Sequence, residues 1–71
     1  MKNSAINQAF LASTTKEMKS AILSNIAKHY GINIYEAELE LYDDEAENIM
    51  DYITGPERAV ISIIYQKFTR K

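Results

Sequence analysis

The stretch from Thr14 to Gly31 constrains the fold most, because it carries signals for both ends of a helix and an unbroken apolar stripe between them. Thr14 followed by Glu17 fits a capping box, in which the threonine oxygen accepts from the glutamate N–H and the carboxylate reaches back to the cap. Met18, Ile22, Ile26 and Tyr30 then recur every fourth residue, flanked by Ala21, Leu23 and Ala27, with Lys16, Lys19, Ser24 and Lys28 turned to water. Gly31 stops the helix, since glycine takes the left-handed conformation at C′ without a Cβ penalty. A helix over 14–31 follows, and the remaining elements have to pack on its stripe.

The flanking segments read as further helices. Asn3 or Ser4 can cap a short one whose apolar members are Ala5, Ile6, Ala9 and Phe10, so residues 1–13 form an N-terminal helical arm tied down by Phe10 and Leu11. After the turn, Asn33 with Glu36 repeats the capping-box pattern and opens a helix over 34–42 with Ile34, Ala37 and Leu41 inward. A strand is the rival there, because Ala37, Leu39 and Leu41 alternate with Glu38, Glu40 and Tyr42. The helical reading is preferred on the helix propensity of Glu, Ala and Leu and the lack of a neighbouring hairpin partner.

Asp43 or Asp44 can cap a helix over 44–54, with the acids of DDEAE at the positive end of its dipole and Ala46, Ile49, Met50 and Ile53 as its apolar stripe. Thr54, Gly55 and Pro56 end it, and proline at a first turn opens the last helix over 56–69. That helix is apolar around most of its circumference, with only Arg58, Ser62 and Gln66 as a clear polar stripe, and its β-branched content also permits a strand. As a helix it should be the most buried element or be covered by a second copy, in which case Ile61, Ile64, Tyr65 and Phe68 are the candidate contacts of a homodimer. The expected fold is all-α: a compact bundle of three to four short helices in one domain spanning 1–71.

Composition limits the alternatives. A chain of 71 residues has room for one core, and 46% apolar with 25% charged residues is ordinary for a folded domain. The absence of cysteine removes any disulfide framework or thiolate site and fits a reducing compartment. The longest greasy run, 59–68, is ten residues interrupted by Ser62, Gln66 and Lys67, where a membrane span needs about 20. Asn3, Asn7 and Gln8 interrupt the apolar patch at the N-terminus, so no secretion signal is read there and the expected location is the cytoplasm.

The net charge of −2 conceals a segregated pattern. Residues 1–31 carry Lys2, Lys16, Lys19 and Lys28 against Glu17, and residues 56–71 carry Arg58, Lys67, Arg70 and Lys71 against Glu57. Between them lie Glu36, Glu38, Glu40, Asp43, Asp44, Glu45, Glu47 and Asp51 with no lysine or arginine. A charge run of this kind is ordinarily a solvated face. The sharper reading is a partner-binding face that engages a basic protein surface, such as one that holds nucleic acid, because clustered charge steers encounter and favours complementary patches.

Enzymatic motifs are missing. With glycine only at Gly31 and Gly55 there is no phosphate loop, and neither a nucleophile elbow nor an HExxH pair occurs. His29 is the sole histidine and suits the negative end of its helix dipole. The carboxylates of 43–47 fan around a helix start and do not converge as a cation site requires, so no metal or cofactor is expected. Tyr30, Tyr35, Tyr42, Tyr52 and Tyr65 can pack in a core or anchor an interface, and the tyrosines of the acidic block lack the interleaved cations of a single-strand binder.

Two functional classes result. The first is a non-enzymatic protein-interaction module, an inhibitor or modulator of a nucleic-acid machine through its acidic face. The alternative is a helix-turn-helix DNA-binding regulator, since Ala27, Gly31 and Ile32 stand where that motif has its small residue, its glycine and the following apolar residue. Glu36, Glu38 and Glu40 would then face phosphates, which counts against nucleic acid as a partner. On IAKHYGI at 26–32, Glu36-Ala37, DDEAE at 43–47, Asp51-Tyr52, Gly55-Pro56 and Arg58, the chain resembles a group of small bacterial plasmid and prophage proteins over about residues 14–65. The resemblance implies an all-helical fold and a mobile-element origin, and no activity.

Overall fold

A computed structural model describes residues 2–70, in the order α1 (Asn3–Ser13), α2 (Lys16–Tyr30), α3 (Ile34–Tyr42), a single 3₁₀ turn (Ile49–Asp51) and α4 (Glu57–Thr69). The fold is all-α, a small bundle, with no strand among the described residues. The helical reading of 34–42 and of the last segment therefore holds over the strand alternatives.

Local bonds fix several helix ends, although the start of α1 follows Lys2 without a side-chain cap, Asn3 and Ser4 lying inside the helix. Thr15, not Thr14, caps α2: its Oγ1 accepts from the Met18 N–H at 3.0 Å. The Thr14 hydroxyl instead donates to the Leu11 carbonyl at 2.7 Å and helps close the C-terminus of α1. Gly31 ends α2 at φ 69°, and the Ile32 N–H donates back to the Ala27 carbonyl at 3.0 Å. Asn33 and Glu36 form the full capping box of α3, with Glu36 N–H to Asn33 Oδ1 at 2.7 Å and Asn33 N–H to Glu36 Oε1 at 3.1 Å.

Phe10 and Leu11, Ile22 and Ile26, Ala37 and Leu41, Ile49 and Ile53, and Ile61 bring every segment into one core. Burying a side chain such as Phe10 completely contributes about 2–3 kcal/mol. Phe10 and Leu11 do tie the N-terminal helix down, so it is not a loose arm: α1 packs against α3 and α4, and Phe10 meets Tyr65 edge-on at 5.0 Å and Phe68 at 5.4 Å. The Cα radius of gyration of 11.1 Å is that of a compact chain of this length, about 11 Å.

Two expectations fail. No α-helix spans 44–54; residues 43–56 form a loop around the 3₁₀ turn, although Ala46, Ile49 and Ile53 are buried as the apolar pattern requires. Polar side chains outcompete the helical ladder for this backbone. Asp43 Oδ1 accepts from the Glu45 N–H at 2.9 Å and Asn48 Oδ1 from the Met50 N–H at 2.9 Å. From α1, Asn7 takes up the carbonyls of Leu41 and Glu47 and the N–H of Ile49, and from α2, Asn25 takes up both backbone polar groups of Thr54.

The second failure concerns α4, which is not the most buried helix. Only Ile61 is fully buried on it, at 3% exposure, while Val60 and Ile63 stand 58% and 57% exposed.

Candidate functional site

The acidic residues divide between α3 and the loop that follows. Ala37 and Leu41, both fully buried, set the rotation of α3, and the rest of its circumference follows from 3.6 residues per turn. Glu36 and Glu40, one turn apart, share an exposed edge. Glu38 lies on the other side toward α2, where its Oε2 meets Lys19 Nζ at 3.0 Å and accepts from the Tyr42 hydroxyl at 2.9 Å. Between those edges Tyr35 and Leu39, also one turn apart, point outward at 69% and 52% exposure.

These bonds shift both acids. The Lys19 ammonium, with help from the Tyr42 hydroxyl, holds the Glu38 carboxyl below its ordinary value. Burial and then the Glu38 carboxylate push the Tyr42 phenol up to about 12.

In the loop, the Asp43 side chain is spent on its turn, and Asp44 approaches Lys2 at 3.9 Å with both side chains largely in water, a pair of little energetic weight. Glu45, Glu47 and Asp51 are exposed. The Glu47 N–H donates to the Tyr52 hydroxyl at 3.0 Å, and Tyr52 is buried beneath the acidic surface. Its phenol is raised chiefly by burial, with further contributions from Glu40 and Glu47.

Among the described residues no group of three or more His, Cys, Asp or Glu is placed to hold a metal ion. Four of the eight acids, Glu40, Glu45, Glu47 and Asp51, make no side-chain hydrogen bond or ion pair among the described residues.

Glu40 has a second role that sequence reasoning missed. It lines a half-enclosed cavity of about 250 Å³ together with Ile26, Tyr30, Ile32 and Tyr52. The rings of Tyr30 and Tyr52, both in its lining, pack edge-to-face against each other, 5.8 Å apart at 62°. The Met18, Ile22, Ile26, Tyr30 spacing assigned Tyr30 to the stripe of α2, yet it is half exposed at the rim of this cavity.

The four α4 residues taken as dimer contacts face inward to different degrees. Ile61 is inside the chain's own core, and Ile64, Tyr65 and Phe68 pack against it. Tyr65 also accepts from Asn48 Nδ2 at 2.7 Å, bracing the loop. The large apolar side chains that α4 leaves outward are Val60 and Ile63. His29 is exposed in the last turn of α2 and packs edge-on against Tyr30 at 4.8 Å.

No helix among the described residues is long and apolar enough to cross a membrane. Comparison with protein-family models, with curated proteins and with solved structures returns no match.

Proposed function

We propose that the chain is a non-enzymatic protein-interaction module of a mobile element, acting in the cytoplasm, whose acidic face engages a basic protein surface of the kind that holds nucleic acid. The observation that carries this reading is the outward pair Tyr35 and Leu39 beside Glu36 and Glu40 on α3, the helix that leads directly into the exposed acids of the 43–51 loop. A face meant only for solubility needs the charges and gains nothing from an exposed aromatic ring and leucine. An interface uses both, because the charges speed and orient encounter while a desolvated aromatic anchor supplies binding energy.

The same residues disfavour DNA as the partner. If α3 entered a major groove, Glu36 and Glu40 would approach phosphates without any lysine or arginine on that helix to offset them.

The test replaces the four unengaged acids together, Glu40→Gln, Glu45→Gln, Glu47→Gln and Asp51→Asn, and separately Tyr35→Ala with Leu39→Ala. Affinity capture from the host cell should recover a nucleic-acid-binding protein with the wild-type chain and lose it with either variant, while the helical circular-dichroism signal stays. Capture that survives both variants overturns the reading. Salt-sensitive binding of duplex DNA by the wild-type chain would replace it with the helix-turn-helix regulator.

A further inference from the structure

The cavity beside Glu40 turns a diffuse charge pattern into a site with a definite shape. At about 250 Å³ it is smaller than the roughly 300 Å³ at which pockets for drug-sized molecules begin, and it suits one long side chain. Its lining is apolar and aromatic, from Ile26, Tyr30, Ile32 and Tyr52, and among the described residues Glu40 is the one charged residue in it, with no lysine or arginine. Glu47, bonded through its backbone to the Tyr52 hydroxyl, adds a second negative charge nearby.

Aliphatic walls, two tyrosine rings and a carboxylate at the rim are the elements that recognise a cation on an alkyl stem. The stem is desolvated against isoleucine, and the cation is drawn to the electron-rich ring face and paired with the carboxylate. Arginine fits better than lysine, because its planar, weakly hydrated guanidinium can stack on a ring while its N–H groups bond a carboxylate.

We infer that this cavity is an anchoring pocket for a single arginine side chain of the partner protein, held by the Tyr30 ring and the Glu40 carboxylate. The inference rests on the acidic-face reading above and adds to it the identity of the residue that the partner inserts. The remaining acids attract the basic surface as a whole, and the pocket distinguishes arginine from lysine within it.

The test uses two peptides of equal charge, acetyl-Lys-Lys-Arg-Lys-Lys-amide and its all-lysine counterpart, titrated into the full chain at low salt and followed by amide and tyrosine-ring NMR shifts. The arginine peptide should bind roughly fivefold more tightly, with its largest shifts at Tyr30, Ile32 and Tyr52. Tyr30→Leu and Glu40→Gln should each abolish that preference, and Glu45→Gln should weaken both peptides equally. Tyr30 is half exposed, so its replacement leaves the core in place, and Glu40→Gln tests the pocket without touching a ring. Equal binding of the two peptides, or a preference that survives in Tyr30→Leu, overturns the pocket and leaves the acidic-face reading standing. No binding of either peptide overturns both.

Discussion

Asn7 Oδ1 accepts from the Ile49 N–H at 2.8 Å, a bond between residues 42 positions apart that fixes the loop over the core. The same side chain donates to the Leu41 carbonyl at 3.0 Å and the Glu47 carbonyl at 2.9 Å, and it is fully buried. An amide inside an apolar core is tolerable only when its capacity is used, and here three backbone groups depend on it.

Asn7→Ala should therefore destabilise the fold by about 3 kcal/mol or more, since it strands buried backbone groups as well as losing bonds. Against a total stability of about 4–10 kcal/mol for a chain this size, that is a large fraction. Asn25→Ala, in a partly exposed clamp where water can substitute, should cost about 1 kcal/mol. Urea unfolding of the two variants checks the order, and equal losses would contradict it.

Rotation of α4 makes a second prediction. Ile61→Ala should cost about 2–4 kcal/mol by leaving a cavity in the core. Val60→Ala and Ile63→Ala, on the outward side of the same helix, should stay within about 0.5 kcal/mol. Val60 and Ile63 are the large apolar side chains that α4 exposes, so if α4 self-associates through its outward side, light scattering of Val60→Ser/Ile63→Ser should show the loss without disturbing the core.

Lys19, Glu38 and Tyr42 predict two opposite pH limits. The folded-state value of Glu38 is lowered, so its contribution is complete above the ordinary 4.5 and disappears as pH falls through the lowered value. The wild-type advantage over Glu38→Gln in urea should accordingly be present at neutral pH and vanish in acid. Tyr42 is raised from 10.0 to about 12, so its contribution is complete below the unfolded value and is lost as pH rises through about 12. Ultraviolet titration of the tyrosinates should find Tyr42 among the last to ionise, and Glu38→Gln should bring it forward.

Gly31 tests a purely conformational effect. Its φ of 69° lies in the left-handed region, and a Cβ there would meet nothing within 4 Å. Gly31→Ala should cost about 1 kcal/mol from backbone strain alone, measured by thermal unfolding. A much larger loss would mean that the turn does more than end α2.

Interactions local in the chain could be read from the residues alone. The stop at Gly31, the capping box of Asn33 and Glu36, and the core positions Ile22, Ile26, Ala37 and Leu41 all follow from interactions within a few residues of chain. The acidic composition of the candidate face was equally legible, since exposure of clustered carboxylates follows from the energetic penalty of burying them.

The remaining features depend on how distant segments pack. The pattern at 44–54 correctly marked Ala46, Ile49 and Ile53 for burial but could not say that Asn7 and Asn25, from helices far away in sequence, would take the backbone bonds a helix would have made. Nor could an almost uniformly apolar α4 reveal which side faces Phe10. The arrangement of Glu40 with Tyr30 and Tyr52 exists only because α2, α3 and the loop converge there. Periodicity records which residues avoid water, whereas partners across 30 or 40 residues are chosen by how the helices pack.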